Sequence, residues 1–178
     1  QQRNYVLDHD DVHELVKDMF KRVISDLVAS HVDAESKNQE VNAEELRKSL
    51  AKLGFVNPPE EQELKGRSTE EIANICTEHA WKNYEDKIEL VKDKVLPVEK
   101  QMVLRIIDRA WVGHIDMMSK LRDGIGLRSC AQDNPLQAYV TEGYQMFEQM
   151  QSQIAQEIVT FCMNVKVEIH KPEDEGEK

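Results

Sequence analysis

The sequence is poor in cysteine, glycine, proline and aromatic residues. Its 178 residues hold 3 Cys, 7 Gly and 5 Pro, and only 6% are aromatic. Cys76, Cys130 and Cys162 are far apart, odd in number and without C-x-x-C spacing. That excludes a disulfide framework and a cysteine metal site, and leaves reduced, intracellular thiols as the expectation. Few turn-formers and few aromatics weigh against a β-sandwich or barrel. No apolar run approaches the ~18 residues that a membrane span needs, and no charged-then-apolar leader is visible. The chain opens Gln1-Gln2-Arg3, so it reads as a piece excised from something longer.

Charge is abundant. Lys and Arg number 23 against 34 Asp and Glu, for a net charge of -11, and 32% of residues are charged. This balance fits a helical, soluble protein and excludes a general nucleic-acid binder, which needs a concentrated positive field. The acidity is uneven. Residues 1–97 carry 14 basic and 21 acidic groups, and residues 98–178 carry 9 and 13.

Residues 1–9 are short enough to be the tail of a helix. Asp11 and Glu14 then have capping-box spacing. Val12, Leu15, Val16, Met19, Phe20, Val23, Ile24, Leu27 and Val28 follow in steps that predict one helix to about His31. A polar loop is expected over 33–40. Asn42 opens a short helix with Leu46, Leu50 and Leu53, and Gly54 stands at its left-handed C-cap before Asn57-Pro58-Pro59. Residues 60–67 read as an exposed charged loop. Ser68 and Glu71 form a further capping box, ahead of a helix carrying Ile72, Ile75, Cys76, His79, Ala80, Tyr84, Ile88 and Val91. Pro97 is a break, a kink or the first turn of a new helix.

The second part predicts a long antiparallel two-helix hairpin. Met102, Val103, Ile106, Ile107, Ala110, Trp111, His114, Met118, Leu121 and Ile125 form the first stripe, which breaks over 126–134 beside Gly124 and Gly126. Asn134-Pro135 restarts the helix. Leu136, Val140, Gly143, Phe147, Met150, Ile154, Ile158, Phe161 and Val165 then recur in a near-heptad seam. Two helices of about 42 Å each follow from ~28 residues at 1.5 Å per residue. The second has no Lys or Arg between 136 and 165. Its polar face is built from Gln137, Gln145, Gln149, Gln151, Gln153 and Gln156, either as a docking face with little charge to desolvate or as an ordinary solvated one. An apolar tip flanked by Arg122 and Arg128 is the feature most suggestive of function. The tail 168–178 is charged and expected to be disordered. The fold class is therefore all-α: a helical sub-domain followed by the hairpin.

Catalytic signatures are missing. There is no G-x-x-x-x-G-K-[ST], no G-x-G-x-x-G and no H-E-x-x-H. Asp10 and His13 are a single acid–His spacing, and one pair is not a metal site. His114 suits a hydrogen-bonded core position, and Cys130 has no activating neighbour in sequence. The residues alone leave three classes open. These are a partner-binding module, a structural bundle or adaptor, and a small helical catalyst built on His114, Cys130 or the Asp10–His13 pair.

The run from Asp108 to Met150 adds more. It reads DRAWVGHIDMMSKLRDGIGLRSCAQDNPLQAYVTEGYQMFEQM. It resembles the C-terminal helical scaffold of the SecA family of bacterial preprotein-translocase motors. Trp111, His114, Ile115, Met118, Leu121, Arg122, Gly124, Ile125, Leu127, Arg128, Ala131, Gln132, Pro135, Tyr139, Glu142, Met146, Phe147 and Met150 stand at the family's spacings. Outside this run the likeness is looser. Residues 1–8 correspond to the end of a long scaffold helix, 9–96 to the helical wing domain, and 97–167 to the two-helix finger.

The resemblance implies a non-catalytic part of a motor that couples ATP hydrolysis to moving unfolded preproteins through the SecY channel. ATP and magnesium would belong to the nucleotide-binding domains of the full-length motor, with no cofactor or metal in this part. The implied partners are the SecY channel complex, unfolded preproteins and the motor's own nucleotide-binding domains. Self-association through an exposed seam is a further expectation. The implied location is the bacterial cytoplasm, on the inner face of the cell membrane. The finger tip, with Leu127, Arg128, Cys130 and Gln132, would touch channel and polypeptide. Trp111, His114 and Arg122 would serve scaffold packing and coupling, through which the scaffold restrains the motor's ATPase. Two positions depart from the family pattern: Cys130 stands where a Tyr is usual, and Ser119 where an Asp is. An aromatic tip offers a large amphipathic surface that a cysteine lacks.

Overall fold

Apolar stripes on amphipathic helices must find one another, and here they meet in a single core. A computed structural model describes residues 1–33, 35–38, 40–128 and 134–168. Among these, the chain forms seven α-helices: α1 (Gln2–Asp8), α2 (His13–Ser30), α3 (Ala43–Leu53), α4 (Glu61–Leu64), α5 (Thr69–Ile88), α6 (Lys92–Arg128) and α7 (Pro135–Asn164). A 3-10 turn, Glu89–Val91, joins α5 to α6. No strand occurs among the described residues beyond an isolated bridge between Val32 and Val41.

The central helix is α2, which packs on both α5 and α7, while α6 lies along α7. Val16, Met19, Phe20, Ile24 and Val28 of α2 are buried with Ile72, Cys76, Ala80, Trp81 and Tyr84 of α5. Phe20 meets Trp81 edge-on at 5.3 Å between ring centroids, a favoured aromatic geometry. The same cluster takes in Val103 and Ile107 of α6 and Ile154, Ile158, Val159 and Cys162 of α7. It therefore continues across residues 96 and 97. Burial pushes the Cys76 thiol up to about 11 and the Cys162 thiol up to about 12, so both are unreactive packing residues.

Most caps form as their residues predict. Asn42 accepts from the Glu45 amide at 3.1 Å. Ser68 and Glu71 make the reciprocal capping box. Asn134 accepts from the Gln137 amide at 3.0 Å, with Pro135 opening α7. Gly54 has φ +113° at the end of α3. The Lys87 ammonium donates to the Met163 carbonyl at 2.8 Å, a cation placed at the negative end of α7. Burial holds the Lys87 pKa below its ordinary value.

Five details differ from expectation. Asp11 does not form a capping box: its carboxylate accepts from the His13 amide at 2.8 Å and Val12 is the N-cap, so α2 starts one residue later. Residues 60–67 are not simply an exposed loop, because α4 forms with its own Glu60–Glu63 capping box and buries Leu64. On α5, the buried face includes Ala73, Thr77 and Trp81, while the His79 side chain is largely exposed beside Glu63. Pro97 lies inside α6, and the break comes earlier at the 3-10 turn. Finally, α6 does not stop at its glycines but runs through Gly124 and Gly126 to Arg128. Buried Leu121 and Ile125 hold those last turns against α7.

A straight helix would separate residues 84 and 99 by about 22 Å. The Tyr84 hydroxyl and the Glu99 carboxylate are instead 2.5 Å apart. The path from α5 to α6 must therefore bend at the 3-10 turn, which forms the elbow of the molecule.

Gly54→Ala should destabilise the protein. An alanine there takes a left-handed backbone at a cost of about 1–2 kcal/mol. Its Cβ would also lie 2.9 Å from the Asn164 side-chain oxygen. A lower urea midpoint checks this, and an unchanged midpoint would contradict it.

Candidate partner-binding hairpin

The hairpin is α6 and α7, with residues 129–133 between the described parts of the two helices. Its packing changes along its length. Near the base, α7 is covered by α2 and α6, and Ile154, Ala155, Ile158 and Val159 are buried. Farther out only the two helices face each other, through Met118, Leu121 and Ile125 on α6 and Gly143 on α7. A Cβ on Gly143 would lie 2.9 Å from the Met118 methyl, so the missing side chain admits the methionine.

Trp111 and His114 come together, His114 packing on rings where a hydrogen-bonded core position was expected. Their rings are 5.5 Å apart and edge-on, and both face Phe147 of α7 at 6.1 Å. Both are half-buried. Trp111 and Phe147 also line a groove with Arg3 of α1, Arg22 of α2 and Gln151. Arg122 is elsewhere: exposed, with no ion pair among the described residues.

At the tip, Leu127 is 84% exposed. Arg128 makes a two-pronged bond to Glu142, at 3.0 and 3.1 Å. That pair holds the Glu142 carboxyl below its usual range. Arg128 is thus engaged as a cross-brace between the helices, not simply displayed. Cys130 and Gln132 lie outside the described residues. Leu136, Val140 and Tyr144 are exposed on α7, as are Val112, Ile115 and Met117 on α6. The outer hairpin therefore carries apolar side chains on solvent-facing positions, the pattern of a surface that meets a partner. Of the glutamines, Gln137, Gln145, Gln149, Gln153 and Gln156 are exposed, but Gln151 is buried under α2 and does not belong to that face.

Sequence reasoning missed the principal polar cluster, which lies at the elbow. Glu99 of α6 is 1% exposed. Both its oxygens are 2.9 Å from His13 Nδ1. The other ring nitrogen of His13 is 2.8 Å from Glu85. Tyr84 donates to Glu99, and Lys92 reaches Glu85 at 3.2 Å. With a carboxylate at each nitrogen, the ring has two acceptors to satisfy, which only the imidazolium can do. Burial by itself would pull the His13 pKa down. The hydrogen bonds and charges of Glu99 and Glu85 outweigh it and hold the group above its ordinary 6.5. Burial would likewise raise Glu85, but His13 and Lys92 take it below 4.5. A sequence signal existed: Glu99 leads the stripe of Val103 and Ile106, and His13 leads that of Val16 and Phe20, so both stand at core positions.

Among the described residues no catalytic set converges. His13 is committed to its carboxylates, Asp10 faces Lys100 at 3.6 Å, and His114 packs on aromatic rings. Among the described residues, no group of three His, Cys, Asp or Glu could hold a metal ion, and no helix is long and apolar enough to cross a membrane.

A long helical hairpin braced on a compact set of helices defines an all-helical scaffold. The chain belongs to the SecA wing and scaffold family, whose model, described as SecA Wing and Scaffold domain, matches residues 1–166. It is 36% identical over 172 residues to the protein translocase subunit SecA of Clostridium novyi (strain NT), covering 94% of this chain and 20% of that protein. It is 38% identical over 176 residues to that of Clostridium botulinum (strain Eklund 17B / Type B), again covering 94% and 20%. For Clostridium perfringens (strain SM101 / Type A) the figures are 35% over 179 residues, 98% and 21%. The chain spans about a fifth of the length of these curated relatives.

Leu121→Ala should cost about 2 kcal/mol, the low end for a buried leucine, because the thin outer hairpin can partly close over the cavity. Hydrogen exchange should accelerate between residues 118 and 147 and stay unchanged in α2. Uniform acceleration across the protein would contradict a locally packed finger.

Proposed function

We propose that the chain is the wing and scaffold part of a SecA-type motor that moves unfolded preproteins through the SecY channel. The observation that carries this reading is the family match over residues 1–166, joined to a rigid hairpin whose end presents Leu127 to solvent. In this reading residues 9–96 are the wing and 97–167 the finger. Leu127, Cys130 and Gln132 contact the channel and the moving polypeptide. Arg128 braces the tip from which they project. Trp111 and His114 seat the finger on the scaffold, and Arg122 is free to meet a neighbouring domain.

ATP and magnesium act elsewhere in the motor. The 178 residues contain no G-x-x-x-x-G-K-[ST] motif. The scaffold's contribution is mechanical: it connects the nucleotide-binding domains to the tip and restrains their turnover. The motor works from the bacterial cytoplasm on the inner face of the membrane.

Two measurements test this. A photo-cross-linking residue in place of Leu127, in a full-length motor carrying this segment, should yield adducts with both the channel and a stalled client. Adducts confined to the motor's own domains would overturn the tip assignment. Cys130→Tyr in the same motor should be tolerated or should improve transport, because an aromatic ring restores contact area at the tip. A severe loss would show that position 130 is not a contact residue.

A further inference from the structure

The elbow cluster holds the least exposed charge among the described residues. Its groups come from every element at the joint. From α2 come the His13 ring, its amide bonded to Asp11, and Lys17 over the Trp81 ring at 5.9 Å. From α5 come Tyr84 and Glu85, and from α6 Lys92 and Glu99. Cys162 of α7 lies beside Tyr84. Asp10 and Lys100 pair at the rim. Two carboxylates therefore face one imidazole, and Lys92 relieves only Glu85.

We propose that this cluster is a protonation-dependent latch on the elbow, closed when His13 is an imidazolium and loosened when it is neutral. The geometry supplies the reason. A neutral ring donates one hydrogen bond, so one ring nitrogen would turn a lone pair towards a carboxylate. Glu99 is too buried to recruit water as a substitute. Tyr84 still donates to Glu99 after the loss, since burial raises its pKa and keeps it a phenol. The elbow therefore loosens without dissolving. The latch does not depend on the export reading, and a wing and finger of any function would share it.

The direction with pH follows from linkage. The folded-state pKa of His13 is raised above 6.5, so its contribution is complete below pH 6.5 and is lost as pH climbs through the raised value. That of Glu85 is depressed below 4.5, so its contribution is complete above pH 4.5 and is lost as pH falls through the lower value. The latch is tightest between pH 4.5 and 6.5.

The test is hydrogen exchange on the whole 178-residue chain, expressed as protection factors to remove the intrinsic pH dependence. Amides of residues 85–95 should lose protection relative to those of Ile154–Val159 as pH rises from 6 to 8.5, by up to about tenfold for each unit by which the folded pKa exceeds 6.5. The His13 ring, followed by NMR in the same protein, should titrate over the same range. Glu85→Gln, at the half-exposed edge, should keep the fold and move both transitions to lower pH. His13→Gln should abolish the pH dependence. A constant ratio of protection overturns the proposal. So does a loss that does not track the His13 titration, whether or not the His13 variant folds.

Discussion

The carboxylate of Glu99 is the constraint on which the arrangement of helices depends. A charge at 1% exposure cannot be left without partners. Its partners come from two other helices: His13 at the start of α2 and Tyr84 near the end of α5. Meeting Tyr84 forces the chain to bend within fifteen residues. Meeting His13 fixes which side of α2 the returning helix passes. Once α6 starts in that direction, its stripe of Val103, Ile106 and Ile107 falls on the core, and α7 can close the groove between α6 and α2. Apolar burial supplies most of the stabilisation, but it is tolerant of rotation. The ionic cluster is not, because each donor and acceptor has one matching position.

Packing density falls steadily from this joint to the tip. At the elbow and base, α7 has neighbours on two sides and its side chains disappear from the surface. Beyond Gly143 it has one neighbour, and Leu136 reaches 71% exposure. Local stability should follow the same gradient. The Arg128–Glu142 brace and the Asn134 cap lie where packing is thinnest. They hold together the end of a hairpin that cannot rely on a core, leaving the outward apolar positions free for a partner.

Much of this was legible from the residues. Asn42, Gly54, Ser68 and Asn134-Pro135 announced their helix ends because each satisfies a local backbone need that does not depend on tertiary structure. The hairpin was legible because its two stripes are long. The misreadings have a common cause. Glu60–Leu64 looked like loop because only Leu64 is apolar, and its burial depends on distant helices. Gly124 and Gly126 looked like a stop because glycine disfavours a helix, but Leu121 and Ile125 outweighed that preference. His13 and Glu99 are 86 residues apart, so nothing local marks them as a pair, although each stands at a core register. The contact role of Leu127 and the coupling role of Arg122 came from family resemblance alone. The structure adds that Leu127 is exposed and that Arg128 is spoken for by Glu142.

The elbow and the tip are coupled by simple geometry. From Glu99 to Arg128 the helix spans 29 residues, or about 44 Å. A rotation of about 5° at the joint would then carry the tip by roughly 4 Å, comparable to the diameter of a side chain. The two helices can transmit such a rotation because their backbone hydrogen bonds are internal and α7 braces α6 along its length. Small changes at the base would be lost in a flexible loop, whereas a braced hairpin converts them into displacement at its far end. Stiffness of the joint is therefore as consequential for the finger as the chemistry of its tip. A buried charge cluster suits such a joint because it holds one angle strongly, while a purely apolar contact would allow a range of angles at nearly equal energy.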